Sequence, residues 1–161
     1  MLMNEHRDRA LGIALRITRS RSDAEEVVQQ SFVRVWFALK RFREESTFGT
    51  WLHRIVVRRA IDQVSQMKAR RLREDDLDAA NEVFAAPEAD RRDAILIRRL
   101  EGLMTSLTAA QRAAVTLYYW EEMQVEEIAA AMGMPENTVK THLSRARAAL
   151  REAWLRKDTQ R

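Results

Sequence analysis

Between Asn137 and Arg147 the chain sets hydrogen-bond donors at the spacing of one helix: Asn137, Thr138, Lys140, Thr141, Ser144, Arg145 and Arg147. Their common chemistry is donation to an acceptor-rich, anionic surface. Lys140 and Arg145 have the reach to donate to guanine O6 and N7, while Thr141 and Ser144 suit a base edge or a thymine methyl. Backbone N–H groups at the start of the helix, with the Thr138 hydroxyl, suit a phosphate. Arg147 and Arg151 suit backbone contact or salt bridges along the helix.

That helix is positioned by its own apolar stripe, Val139, Leu143, Ala146 and Leu150, at i, i+4, i+7 and i+11. A second stripe, Val125, Ile128, Ala129 and Met132, precedes it. Gly133 between them can take a positive φ, and Pro135 fixes φ before a helix beginning at Asn137, with Glu136 the alternative start. Two short helices, a glycine turn and a donor-rich outer face are the layout of a helix-turn-helix. A merely solvated amphipathic helix explains the charges but not their coincidence with the turn. Upstream, Leu96, Leu100, Leu103 and Leu107 form another stripe, Thr108 is placed to cap the next helix, and Val115, Leu117 and Tyr118 lie inside that helix before Glu121 and Glu122 end it.

A second set of residues mixes aromatic rings with arginines: Phe42, Arg43, Ser46, Thr47, Phe48, Trp51, Arg54, Arg58 and Arg59, with Asp62 at the end. Three helices position it. Ala10, Ile13, Ala14 and Ile17 mark the first. Ser22 or Asp23 caps the second, where Val28, Phe32, Val35 and Trp36 share a face. Ser46 or Thr47 caps the third, with Leu52, Ile55, Val56 and Ile61 on its buried side. Phe32 and Phe48 read as core residues. Trp51 reads equally as core or as facing DNA, and His53 beside it as a phosphate contact or a surface histidine.

Charge is unevenly spread. Residues 1–71 carry +7, residues 72–94 carry −5 and residues 95–161 carry +2, within a total of +4. A basic first block suits a polyanion, with salt-sensitive binding. The acidic stretch holds Pro87 and no long stripe, so it reads as a linker, with Phe84 a candidate for docking. With 46% hydrophobic and 32% charged residues the chain is globular. It has no cysteine, which removes disulfides and thiolate metal sites. No apolar run nears the length of a membrane span and no signal peptide is evident, so a cytoplasmic protein without membrane insertion is expected. His6, His53 and His142 lack metal-ligand spacing, no glycine-rich loop precedes a lysine, and acidic pairs such as Asp75 and Asp76 sit in the linker. Neither an enzyme nor a cofactor is expected.

DAEEVVQQSFVRVW (Asp23 to Trp36) and FREESTFGTWLHRIVVRRAID (Phe42 to Asp62), followed by the helix-turn-helix, resemble the extracytoplasmic-function class of bacterial sigma factors. The resemblance covers all but the linker. It implies an all-α chain of two small helical domains on a flexible linker: a region 2-like domain at 1–71 and a region 4-like domain at 95–161. By the same likeness, Asp23, Glu26, Gln29, Gln30, Val33 and Arg34 dock on the clamp helices of core RNA polymerase. Phe42 to Thr47 capture a flipped base of the −10 element, and Phe48, Trp51 and the helix to Asp62 face the melting −10 strand. Lys140, Thr141, Ser144 and Arg145 read the −35 element. An anti-sigma factor is an expected partner. Arg58 departs from the family, where many members carry Asn, and the stretch before Arg7 is shorter than usual. Two further readings are a conventional helix-turn-helix regulator using only the second block, and a sigma-like decoy that binds an inhibitor.

Overall fold

The computed structural model describes the backbone of residues 2–74 and 91–159, and the side chains there except at residues 2, 3, 74 and 91–97. Its α-helices are α1 (Leu2–Thr18), α2 (Arg21–Ala38), α3 (Phe48–Glu74), α4 (Arg91–Met104), α5 (Ala109–Val115), α6 (Val125–Met132) and α7 (Glu136–Thr159). A 3₁₀ turn, Leu39–Arg41, follows α2, and a π-helical turn, Thr116–Trp120, follows α5. No strand occurs among the described residues, so the fold is all-α as expected.

Helices α1, α2 and α3 pack on one another. Ala10, Ile13, Ala14 and Ile17 of α1 are fully buried, as their spacing predicts. From α3 the fully buried residues are Leu52, Val56, Val57 and Ala60, while Ile55 and Ile61 are only partly covered. Two details differ from the sequence reading. The cap of α2 is Ser20, whose Oγ accepts from the Asp23 N–H at 3.3 Å, rather than Ser22 or Asp23. Arg19, at φ 59°, turns the chain just before it and brings Ser20 into place. Trp36 does not join the core. Val28 and Val35 are buried and Phe32 is partly covered. One residue beyond Val35 is a rotation of about 100°, and Trp36 swings out at 65% exposure beside Val33 at 54% and Phe37 at 78%. For α3, Thr47 is the cap, its Oγ1 accepting from the Thr50 N–H at 3.2 Å.

In the second half, α5 and α6 both pack on α7. Thr108 caps α5 in a reciprocal box with Gln111: Thr108 Oγ1 accepts from the Gln111 N–H at 3.2 Å, and Gln111 Oε1 accepts from the Thr108 N–H at 3.1 Å. Gly133 closes α6 in the left-handed region at φ 66°. Helix α7 starts at Glu136, one residue earlier than Asn137, because the Pro135 carbonyl already accepts from Thr138 and Val139. Leu103 and Leu107 are buried; the side chain of Leu96 is outside the described residues. Helix α4 packs on α7, with the Arg99 guanidinium 3.6 Å from the Trp154 ring centroid and ion-paired to Asp158.

The stretch between the halves is shorter than the sequence suggests, since α3 runs to Glu74 and α4 begins at Arg91. Phe84, Pro87 and the other residues of 75–90 lie outside the described residues. The two halves touch. α3 packs against α5 and α6, and α1 against α5 and the π turn. Their buried apolar residues form one cluster.

Candidate nucleic-acid interface

Burying Val139, Leu143 and Ala146 against α5 and α6 leaves Asn137, Lys140, Thr141, Ser144 and Arg145 exposed along α7, with Thr138 half-buried. The Thr141 hydroxyl donates to the Asn137 carbonyl at 2.9 Å, so its methyl and lone pairs remain for a partner. Arg147 is engaged within the protein. Its Nε donates to the Tyr119 hydroxyl at 2.8 Å, and its guanidinium lies 5.6 Å from the Tyr118 ring centroid. The Tyr119 hydrogen bond raises its pKa. This ties the side of α7 to the π-helical turn and keeps a fixed positive charge at the edge of the exposed face of α7. His142 is half-buried, and burial with Arg145 nearby lowers its pKa, which favours a neutral ring.

The aromatic and basic set gathers along α3. Phe42 lies 4.9 Å from Trp51 between ring centroids, and Phe48 lies 5.9 Å from Trp51 and 6.2 Å from Phe42. All three rings are half-exposed, so each is both packed and presented. Ser46 donates to the Thr47 carbonyl at 3.3 Å, and Arg43 and Thr47 are exposed. Beside the rings, Trp51, Arg54, Arg58, Arg59 and Asp62 join Gln30 and Arg34 around a cleft of about 560 Å³ between α2 and α3. That falls in the range of roughly 300–1,000 Å³ typical of ligand pockets. The Nε of Arg54 is buried with no acceptor among the described residues. Arg59 Nε donates to Gln30 Oε1 at 2.6 Å, and Gln30 Nε2 donates to Glu26 Oε1 at 2.8 Å. The cleft is thus wired to the outer face of α2.

That face carries the third set. Glu26, Gln29, Val33 and Arg34 are exposed, and Asp23 and Gln30 half-exposed. The structure adds Trp36, Phe37 and Leu39, exposed apolar residues that the sequence reading did not count as a surface. A groove between α1 and α2 runs from Asn4, Arg7 and Arg21 to Val33 and Trp36. The signal was present in the sequence: Val33, Trp36 and Phe37 stand at i, i+3 and i+4, a second apolar stripe on a helix already using one.

His53 is corrected outright. It is 5% exposed, not a surface residue, and its pKa falls to about 4, first through burial and then through Arg9 and His6. A neutral buried ring supports the first turns of α3 and offers no charge to a phosphate. Arg58 is also placed otherwise than expected, donating into α6: Nε to the Ala131 carbonyl at 3.0 Å and Nη2 to the Ala130 carbonyl at 2.8 Å.

An all-helical chain with a helix-turn-helix, an arginine-lined cleft and an exposed apolar helix face carries surfaces whose chemistry suits nucleic acid and a second partner. The description "Sigma-70 region 2" matches residues 2–79, and "Sigma-70, region 4" matches residues 97–150. The ECF RNA polymerase sigma factor SigE of Mycolicibacterium smegmatis is 32% identical over 94% of the chain, which spans 59% of that relative's length. The ECF RNA polymerase sigma-E factor of Haemophilus influenzae is 31% identical over 91% of the chain and 82% of its own length. In fold, the sigma factor RpoE of Bartonella quintana, solved with the anti-sigma factor NepR, superposes with a TM-score of 0.73 at 24% identity, covering 94% of this chain and 93% of that one. CnrH, solved with the cytosolic domain of CnrY, gives 0.65 at 24% identity over 98% and 86%. The chain belongs to the sigma-70 family, in its extracytoplasmic-function group, and its class is that of an alternative RNA polymerase sigma factor.

Proposed function

We propose that the chain binds core RNA polymerase through the exposed face of α2 and brings it to promoters with two readers. The first unit, 1–71, takes −10 bases as single strand; the second, 95–161, takes the −35 element as duplex. The observation that supports this best is the cleft on α3, where four arginines surround Trp51 and one of them holds a buried, unpartnered Nε. A ring and free donors side by side suit an unstacked base and its phosphate. Stacking a base on an aromatic side chain contributes roughly 1–3 kcal/mol, and extruding one costs a few kcal/mol. The unit therefore tips strand opening only together with the polymerase, and it does so without covalent chemistry.

On α7, Lys140, Ser144 and Arg145 read base edges, while Asn137 and Thr138 meet phosphate through backbone N–H groups and a hydroxyl. Asp23, Glu26, Gln29, Gln30, Val33 and Arg34 form the polymerase face, with Trp36 and Phe37 as its apolar centre. The Glu26–Gln30–Arg59 chain links that face to the −10 cleft, so docking and strand capture share side chains. Since RpoE of Bartonella quintana is solved with the anti-sigma factor NepR, an anti-sigma factor is the natural competitor for the same apolar face. None of the described helices is long and apolar enough to cross a membrane.

The test is purified core polymerase with a promoter library. Open complexes that form only when this chain is added support the reading. Duplex binding that needs no polymerase indicates a conventional helix-turn-helix regulator, and polymerase binding without any open complex indicates a decoy.

A further inference from the structure

Two tyrosines of the π-helical turn converge on one arginine of α7. The turn is widened: the Glu121 N–H bonds to the Thr116 carbonyl, five residues back, at 3.2 Å. Successive residues of an α-helix point about 100° apart, yet here both rings reach the same guanidinium. The Arg147 guanidinium carbon lies 5.6 Å from the Tyr118 ring centroid and 5.8 Å from that of Tyr119. The rings themselves meet edge to face at 4.9 Å. Arg147 Nε donates to the Tyr119 hydroxyl at 2.8 Å. That hydroxyl keeps its own hydrogen for another acceptor. Among the described residues, no hydrogen bond or ion pair occupies Arg147 Nη1 or Nη2, and the residue is exposed. The side chain is therefore held at its inner nitrogen and open at its fork.

Lys140, Ser144 and Arg147 stand at i, i+4 and i+7, on one face of α7. Seven residues carry Arg147 about 10 Å along the axis from Lys140. The major groove is about 8.5 Å deep. A helix that enters it by its first turns has left the base edges by Arg147 and stands level with the phosphates. Tyr119, bonded to Arg147 and 53% exposed, stands at the same level. An arginine free to rotate loses that freedom on binding. One already fixed at Nε has less to lose, so more of each bond to phosphate survives as affinity.

We propose that Tyr119 and Arg147 form a preassembled phosphate clamp on the second unit. Tyr119 positions the guanidinium, the two Nη groups take one backbone phosphate at the rim of the major groove, and the Tyr119 O–H donates to the same phosphate. The Tyr118 ring backs the pair. The clamp rests on the proposed reading of α7 as a duplex-binding helix, and adds to it a contact from outside the helix-turn-helix. A phosphate carries no base identity, so the clamp strengthens binding without sharpening sequence preference.

The test is titration of the full chain with two labelled duplexes of equal length over a salt series. One carries the −35 segment selected in the promoter library, the other a scrambled version. Arg147→Ala weakens binding to both by the same factor and lowers the slope of log K against log salt by about 0.9, the loss of one phosphate contact. Tyr119→Phe keeps the ring and removes only the hydroxyl. It weakens both duplexes about fivefold, while the thermal midpoint holds. In an Arg147→Ala background the same change costs less than about twofold, since the positioned group is gone. Arg147→Lys retains the salt slope yet loses affinity about as Tyr119→Phe does, because an ammonium does not present a fork. A Tyr119→Phe variant with a lowered thermal midpoint and parental affinity makes the pair a structural tie and overturns the clamp. So does a loss confined to the selected duplex, or a fivefold loss undiminished in the Arg147→Ala background. The −35 reading fails separately, when the selected duplex is not preferred over the scrambled one; the clamp then stands or falls on the scrambled duplex alone. Absence of duplex binding overturns both.

Discussion

Trp36 is the most consequential side chain that the structure brings to the surface. It is 65% exposed, between Val33 and Phe37, on a helix whose opposite face is core. A tryptophan buries about 150–250 Å² when fully covered, so a partner that covers the exposed share removes about 100–160 Å² from water. At about 25 cal/mol per Å² this contributes about 2.5–4 kcal/mol to docking. Trp36→Ala is therefore expected to weaken core polymerase binding by roughly 60- to 700-fold. The thermal midpoint of the free protein should hardly move, because little of the ring is buried in the fold. The assay is anisotropy of the chain labelled at a single introduced cysteine, Lys157→Cys on the far helix, titrated with core enzyme. Leu155→Ala, which removes another exposed apolar side chain but from α7, serves as the control and should leave the affinity unchanged. A Trp36→Ala variant that is folded and binds within threefold of the parent would falsify the docking assignment of α2.

Arg145→Ala should cost roughly 1–3 kcal/mol on a −35 duplex, with a smaller loss on random duplex; equal losses on both, measured by titration at fixed salt, would leave Arg145 as a phosphate contact. His53 supplies a pH dependence whose sign follows from its lowered pKa. The unfolded ring takes a proton near pH 6.5, the folded one only near pH 4, so stability is complete above pH 6.5 and falls as the pH drops from there toward 4. The groups facing the ring are His6 and Arg9 of α1, with Glu121, Glu122 and Glu127 lining the adjacent cleft. Between pH 7.5 and 5.0 the loss is about 2 kcal/mol, and His53→Leu should abolish it in urea unfolding at the two pH values; parallel losses in both proteins would show that another group governs the acid limb. Arg112→Met leaves the Ile17 and Leu107 carbonyls without their donor, and should cost about 2–4 kcal/mol of unfolding free energy, where a loss below about 0.5 kcal/mol would mean that water serves those carbonyls equally well.

The helices were legible because each announces itself by period. The stripes from Ala10, Val125 and Val139 fall on buried faces as predicted, and Thr108 caps its helix with a partner, Gln111, three residues on. What sequence spacing misplaced was the rim of a stripe. Trp36 and Val35 are adjacent in the chain, yet 100° of helix rotation puts one outside and the other inside. Apolar character alone does not distinguish a core residue from a docking residue, and a helix apolar on two faces needs two partners. His53 was misread for the complementary reason. Its polarity suggests surface, but its place one turn before Val56 and Val57, and immediately after Leu52, puts it on the buried side of α3.

The arginines show the limit most clearly. A guanidinium on a helix face seeks a geometry of oxygen acceptors, and a phosphate backbone and a helix C-terminus offer related ones. Arg54, Arg58 and Arg59 stand within one short stretch of α3 and read alike in the sequence. In the folded chain Arg59 serves Gln30, Arg58 serves the end of α6, and Arg54 keeps an unpartnered Nε beside Trp51. The difference is set by residues far away in sequence: Gly133, which opens the approach to α6, and Gln30, which stands across from Arg59 on α2. Charge on α3 thus divides between guanidinium groups already held by the protein and one whose Nε has no acceptor among the described residues.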